Sequence, residues 1–539
     1  MRLNNRELSN KAQWEKAGVE LPGFDREAMI AATKATPEWV HFGAGNIFRV
    51  FPAALLQTLL ERGIEKTGII VAEGYDGEII DRVFLPYDNL TMAVTLKADG
   101  TIEKRIIGSV AEALRIDKYE DFDALKKVFR SKSLKMASFT ITEKGYSLTG
   151  RGGEPLADVS IDFRNGPGAP ASYIGRLTAL VLERYNEGKD SGGLPLALVS
   201  MDNCSHNGDK LFAAVETFAI KWTEKGYADK GFLDYIRDKS KVSFPWSMID
   251  KITPRPDEGV KKMLENAGFT DTEGQITAKN TYIAPFVNAE EAQYLVIEDS
   301  FPAGRPALEK AGVLFADRET VDKVEKMKVC TCLNPLHTSL AVFGCLLGYT
   351  KISDEMKDPN LVKLIEIIGY KEGLPVVVDP LILSPKKFID EVLKIRLPNP
   401  FMPDTPQRIA TDSSLKIPIR FGETIKAYLA SSALNVADLK RIPLVLAAWI
   451  RYLLGVDDAG ADFDVSPDPH FDALSQALSP IKLGQKGPFH AVLEPILSNE
   501  RIFAVNLYEA GLGNQVEKYF EELIAGPGAV AATLKKYTS

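Results

Sequence analysis

The chain reads as an α/β protein whose first half carries a doubly wound parallel sheet and whose second half is mainly α-helical. Three observations predict this. A short apolar strand pattern at residues 39–42 runs into a glycine turn and an apolar helical pattern, strands and helices then alternate to about residue 200, and beyond about residue 310 long helical patterns replace strands.

The opening unit is Trp39-Val-His-Phe42, then Gly43-Ala-Gly-Asn-Ile-Phe-Arg49, then an apolar helical pattern over residues 51–60. Gly43 would permit the tight turn, and Gly45 the close approach of backbone to a pyrophosphate whose charge rests on the first helical amides, near Asn46 and Ile47. Phe48 stands where the dinucleotide fingerprint has its third glycine. Residues 68–72 read as the next strand, ending at Glu73 and Asp76, about where an acid binds adenosine ribose hydroxyls; an acid there favours NAD over NADP. Arg49 is expected to contact phosphate or substrate. Residues 89–96 and 100–107 read as a hairpin. Residues 135–142 and 194–201 are further buried strands. In a parallel sheet their carboxyl ends border the ligand crevice, which puts Thr142, Glu143 and the segment 202–208 where chemistry would occur. A Rossmann-like dinucleotide-binding domain over residues 1–292 and a helical substrate and catalytic domain over 293–539 follow, with long helices expected over 436–454 and 514–537.

A chain of 539 residues is too long for one core, so two domains are the natural division. With 45% hydrophobic residues, 26% charged residues and a formal net charge of -8, it has the composition of an ordinary globular protein. The charge argues against a nucleic-acid partner. No apolar signal region follows Met1, and no run reaches the roughly 18 apolar residues of a membrane helix, so no membrane partner and a cytoplasmic location are expected. Four cysteines make no disulfide framework and suit a reducing compartment. Nothing in the sequence sets an oligomeric state.

The catalytic signal lies in residues 325–337, Glu-Lys-Met-Lys-Val-Cys-Thr-Cys-Leu-Asn-Pro-Leu-His. Lys328, Asn334 and His337 fall within ten residues of one another inside an apolar stretch that continues to Gly348. Burying an ammonium is costly enough that lysines in such surroundings tend to neutralise, the condition for acting as a general base. A metal-free alcohol dehydrogenase needs such a group. Other chemistry stays open. Cys204, His206, Cys330, Cys332 and His337 are soft or borderline donors that could converge on one ion in a metal-dependent epimerase or lyase, although Cys330-Thr-Cys332 is not the usual two-residue spacing. A silent NAD-binding sensor would keep the glycine turn and tolerate loss of Lys328.

Six motifs in order carry a family resemblance: residues 43–49, Thr140-Ile-Thr-Glu-Lys-Gly-Tyr146, Met201-Asp-Asn-Cys-Ser-His-Asn-Gly208, residues 244–254, Val296-Ile-Glu-Asp-Ser-Phe301 and Leu333-Asn-Pro-Leu-His337. Through them the chain resembles the polyol-specific long-chain dehydrogenases, the mannitol dehydrogenase family. The resemblance implies an NAD-dependent, metal-independent oxidoreductase with a Rossmann domain, a helical C-terminal domain and an active site between them. It implies a lysine acid/base with asparagines polarising the reacting oxygen. By motif these are Lys328, Asn334 and Asn203, with His337 orienting the substrate and Glu325 also matching. Among the family's activities, interconversion of D-fructuronate and D-mannonate is the expectation here, because Pro335-Leu336 departs from the small residues of the mannitol enzymes. Tagaturonate reduction and mannitol 2-oxidation are its neighbours. A hexuronate carboxylate needs a cation, and Lys251, Arg396, Arg408 and Lys416 lie in family-like motifs that could supply it, with Asp250 beside them.

One departure has a structural consequence. The family signature has four residues between lysine and asparagine; here there are five, so a regular helix would swing the lysine away. The sequence therefore predicts a π-bulge or local unwinding between Lys328 and Pro335.

Overall fold

The computed structural model describes residues 1–150, 152–256 and 258–539, which form two compact units. The first comprises Met1–Leu96 and Thr101–Asp322, and the second Lys97–Gly100 and Lys323–Ser539. The expected division at residue 292 falls too early, because Leu308 and Val313 belong to the first unit's apolar core.

In the first unit the strands used below are β1 Trp39–Phe42, β2 Ile69–Glu73, β3 Thr91–Leu96, β4 Ile102–Ile107, β5 Val110–Arg115, β6 Met136–Phe139, β7 Leu196–Ser200, β8 Val242–Ser243 and β9 Phe286–Glu290. Six of them form one all-parallel sheet in the order β5-β2-β1-β6-β7-β8, the doubly wound order with its reversal at β1 and β6. The alternation of side chains along each strand explains the two layers of helices. Trp39, Ile69, Val71, Ala197 and Val199 point to one face and pack with Leu55, Leu56 and Leu59 of helix α2, Pro52–Glu61. Val40, Phe42, Ile70, Phe139 and Leu198 point to the other and pack with helices α3, Tyr173–Glu187, and α4, Asn207–Glu224. The expected hairpin is β3 against β4, antiparallel, in a second sheet that β9 joins in parallel with β3.

The second unit is helical. Its core elements are α5 Asn334–Leu346, α6 Arg441–Tyr452, α7 Gly513–Leu523 and α8 Ala529–Thr538. Both expected long helices are shorter than their apolar patterns. The 436–454 pattern opens with a 3₁₀ turn, Val436–Asp438, and becomes α-helical only at Arg441, where the Glu372 carboxylate accepts hydrogen bonds from the amides of Lys440, Arg441 and Ile442. The 514–537 pattern is cut by Gly526-Pro527-Gly528, with both glycines at positive φ.

One helical run, Arg318–Leu346, is long and apolar enough to cross a membrane by length and composition, which corrects the expectation that no such run exists. It carries Lys328, Asn334 and His337, and 72% of its most apolar window is buried inside protein.

Candidate active site

In the first unit the glycine turn joins β1 to helix α1, Asn46–Val50. Gly43 has φ +103, and a Cβ there would lie 2.3 Å from the Thr140 carbonyl oxygen, so only glycine fits. Around Gly45 nothing lies within 4 Å of where a Cβ would stand. Gly45, Asn46 and Ile47 are partly exposed while the residues on either side are buried, which leaves an open cradle of backbone at the start of α1. Phe48, in the third glycine's place, is buried with its ring stacked on His41 at 4.2 Å.

Glu73, at the carboxyl end of β2, ties this turn to the next loop. Its Oε2 accepts from the Ala44 amide at 2.8 Å, and its Oε1 accepts from the amides of Gly74, Tyr75 and Asp76. Asp76 is buried and accepts from the Thr277 hydroxyl at 2.6 Å. These residues fit a dinucleotide: a backbone cradle at a helix start and an acid anchored beside it. We expect Gly43→Ala to weaken NADH binding tenfold or more, read by nucleotide fluorescence titration, since both its steric clash and its positive φ oppose the turn.

Arg49 needs correction. It is 2% exposed, and its guanidinium donates to Thr91 Oγ1, the Ala284 carbonyl and the Pro285 carbonyl. Burial lowers its pKa to about 9. It fastens α1 to β3 and the chain entering β9, and does not reach out to a phosphate.

At the carboxyl ends of β6 and β7, Thr142 is held at φ 64, with its amide donating to Asp202 Oδ1. Glu143 forms an ion pair with Lys210 at 2.5 Å. Asn203 follows Asp202 directly. Asp250 is buried at the end of the strand Ser247–Asp250. The Lys251 ammonium donates to the Glu290 carbonyl at 2.8 Å and to Gln293 at 3.0 Å.

In the second unit the expected irregularity is present. Met327–Cys332 is a π-helical turn, with the Leu333 amide donating to the Lys328 carbonyl five residues back at 3.1 Å. Leu333 leaves the helical region at φ -127, and α5 starts at Asn334 and Pro335, where proline lacks the amide that the first turn cannot use. The wide turn takes up the extra residue. Lys328, the second residue of the π turn, is 5% exposed and follows buried Met327.

His337, one turn into α5, has its Nε2 3.5 Å from Asp404 Oδ2. Burial lowers the His337 pKa, Asp404 opposes this, and the charges of Arg420, Arg408 and Arg396 reinforce it, so the ring is neutral at pH 7. Asp404 also pairs with Arg408. Arg420 donates to the Thr338 hydroxyl, and burial lowers its pKa to about 10. Lys416 donates to the Ile409 and Thr411 carbonyls; burial and then the Arg420 charge lower its pKa. Arg396, Arg408 and Lys416 thus share one positive field with His337. Sequence reasoning missed Arg420 and Asp404, which only the tertiary fold brings to His337.

The metal reading finds no support in the donor set. Among the described residues no three His, Cys, Asp or Glu side chains converge on a point. Burial pushes the Cys332 thiol up to about 12, and the His206 ring is stacked on Trp246.

Comparison with known proteins agrees with this division. Residues 37–310 match the Mannitol dehydrogenase Rossmann domain, and residues 320–524 the Mannitol dehydrogenase C-terminal domain. The chain is 54% identical over 539 residues to a D-mannonate oxidoreductase of Thermotoga maritima, covering 99% of both proteins. It is 29% identical over 488 residues to a Polyol:NADP oxidoreductase of Gluconobacter oxydans, covering 89% of this chain and 90% of that one. Among solved structures, the Pseudomonas fluorescens mannitol 2-dehydrogenase ternary complex with NAD and D-mannitol superimposes with a TM-score of 0.67 at 25% identity, over 100% of this chain and 99% of that one. Both domain matches and the full-length likeness lead to one assignment: the chain belongs to the mannitol dehydrogenase family.

Proposed function

We propose that the protein is an NAD-dependent oxidoreductase that interconverts D-fructuronate and D-mannonate, with Lys328 as the general acid/base and no metal. The observation that carries the sugar-acid reading is the positive field at His337. Arg396, Arg408 and Arg420 all bear on that imidazole against the one carboxylate of Asp404, and Arg408 and Arg420 bear on Lys416 against Asp412 and Asp468. A polyol brings no charge to satisfy such a field; a hexuronate brings a carboxylate that matches it. The full-length likeness to a D-mannonate oxidoreductase supports the same choice.

In this reading the nicotinamide, when bound, takes up or supplies the hydride. The cradle at Gly43, Gly45, Asn46 and Ile47 holds the pyrophosphate, Glu73 shapes the loop beside it through the backbone amides it accepts instead of reaching a ribose, and Thr142 and Glu143 border the nicotinamide side. The Lys328 ammonium donates a proton to the ketone oxygen in reduction, and the neutral amine accepts it back in oxidation. Asn334 and Asn203 donate hydrogen bonds to the developing alkoxide, each worth about 3 kcal/mol in sites of this kind. Neutral His337, whose buried Nε2 has no hydrogen-bond partner among the described residues, orients the substrate.

The test is NADH oxidation with D-fructuronate, D-tagaturonate and D-fructose in parallel, with and without chelator. D-fructuronate should be turned over with the highest kcat/KM, unchanged by chelator. A preference for D-fructose, or loss of activity in chelator, contradicts the proposal. Arg420→Leu should raise KM for the sugar acid at least tenfold, because a charged hydrogen bond is worth roughly 1.5–3 kcal/mol, while any weak turnover of fructose should hardly change.

A further inference from the structure

The first unit contains a buried polar network that the proposed reaction does not use directly. The Tyr146 hydroxyl lies 2.5 Å from Asp202 Oδ2 and 2.7 Å from the Ser200 hydroxyl, all within protein interior. The Asp202 carboxylate in turn accepts the Ile141 amide at 3.0 Å and the Thr142 amide at 2.8 Å. From the other side, the Asn207 side-chain amide donates to the Asp202 carbonyl at 2.9 Å and the Ser247 carbonyl at 3.0 Å. One carboxylate therefore ties the loop after β6 to the loop after β7, at the edge of the sheet where a parallel fold binds its ligand.

Two features show that this tie is costly. Asp202 is 8% exposed, and burial raises its pKa, with the hydrogen bonds from Tyr146 and the two amides pulling the other way. Thr142, a β-branched residue, sits at φ 64 and ψ 161, a region that only glycine adopts freely and that persists only where the surroundings over-determine it. Strain of this kind is kept where it holds a site in shape. Asn203 is the residue next to Asp202, so its backbone is fixed by the same network.

We infer that Tyr146 and Asp202 are positioning residues: they hold Thr142 and the Asn203 carboxamide in their reactive arrangement without touching the substrate. The inference rests on the role proposed above for Asn203. Tyr146→Phe removes the hydroxyl and keeps the ring in the core, and Asp202→Asn sets an amide donor against one of the two backbone amides. Both variants are compared with wild type and Asn203→Ala for kcat per NADH-binding site, for KM of the sugar acid and for melting temperature. Counting by bound NADH removes any unfolded fraction. Tyr146→Phe and Asp202→Asn should lower kcat per site tenfold or more with KM changed less than threefold, in the pattern of Asn203→Ala. If Asn203→Ala is crippled but both other variants keep kcat per site within twofold of wild type, the network is structural only and the inference fails, whatever happens to the melting temperature. If Asn203→Ala itself keeps full kcat, the reading beneath it fails and the inference falls with it.

Discussion

Lys328→Ala should lower kcat by about 10²- to 10⁴-fold, the range that a positioned general acid or base contributes, with KM for the sugar acid changed only a few-fold. The reason is the location of the side chain. It is 5% exposed and springs from a π turn, Met327–Cys332, that only Leu333 separates from Asn334. Truncation removes the proton donor and leaves the carboxamides and the cationic cluster at His337 in place, so the ground state stays bound while the transition state loses its acid. Lys328→Met, which retains most of the volume, should be as inactive as Lys328→Ala. Recovery of activity in the methionine variant would mean that packing rather than proton transfer had been lost. Steady-state kinetics with NADH and D-fructuronate decides between them.

The second large effect concerns stability. Glu355 ends the short helix Ile352–Glu355 with no exposed surface, and neither carboxyl oxygen has a hydrogen-bond partner. Its Oε1 lies 2.1 Å from where a Cβ on Gly344 of α5 would stand, so the carboxyl packs directly against that glycine. Burial, and then the Asp358 charge, raise its pKa to about 9. For an acid the sign is destabilising. Below about pH 4.5 both folded and unfolded forms are protonated and no penalty exists. Between there and about pH 9 the unfolded chain ionises while the folded one stays protonated, so stability falls by about 1.4 kcal/mol per pH unit. Above that range the loss levels off. Glu355→Gln cannot ionise and should escape this slope. Its melting temperature should match wild type near pH 5 and exceed it increasingly towards pH 8, at roughly 2–4 °C per kcal/mol for a unit of this size. Differential scanning calorimetry across pH reads the result. Parallel curves for the two proteins would contradict the assignment of Glu355 as a neutral buried acid.

Local signals were legible in the sequence and long-range ones were not. The strand, glycine turn and helix at residues 39–60 were readable because each step is set by neighbouring residues: Gly43 at positive φ, Gly45 without a side chain, Pro52 at a helix start. The π turn was readable too, since a single extra residue between Lys328 and Asn334 leaves a helix few other ways to keep both side chains on one side. The start of α6 was not, because the cap that sets it is the Glu372 carboxylate, 68 to 70 positions away. Arg420 was missed for the same reason, reaching Thr338 across 82 positions. Arg49 was misread because an arginine in a glycine motif gives no local sign of whether its guanidinium turns out to a ligand or in to carbonyls 235 positions on. The division of the 514–537 pattern was available in Gly526-Pro527-Gly528, where the apolar periodicity outweighed a plain breaker.

The most direct measurement of the central claim is chemical rescue. Lys328→Ala opens a space the size of a small alkylamine at the position of the lost ammonium. With saturating NADH and D-fructuronate, turnover of this variant should rise at least tenfold as methylamine or ethylamine is added, and should not respond to sodium chloride at the same ionic strength. A variant that binds both NADH and the sugar acid yet shows no amine-dependent turnover, or that needs no amine to work at the wild-type rate, would contradict Lys328 as the proton carrier.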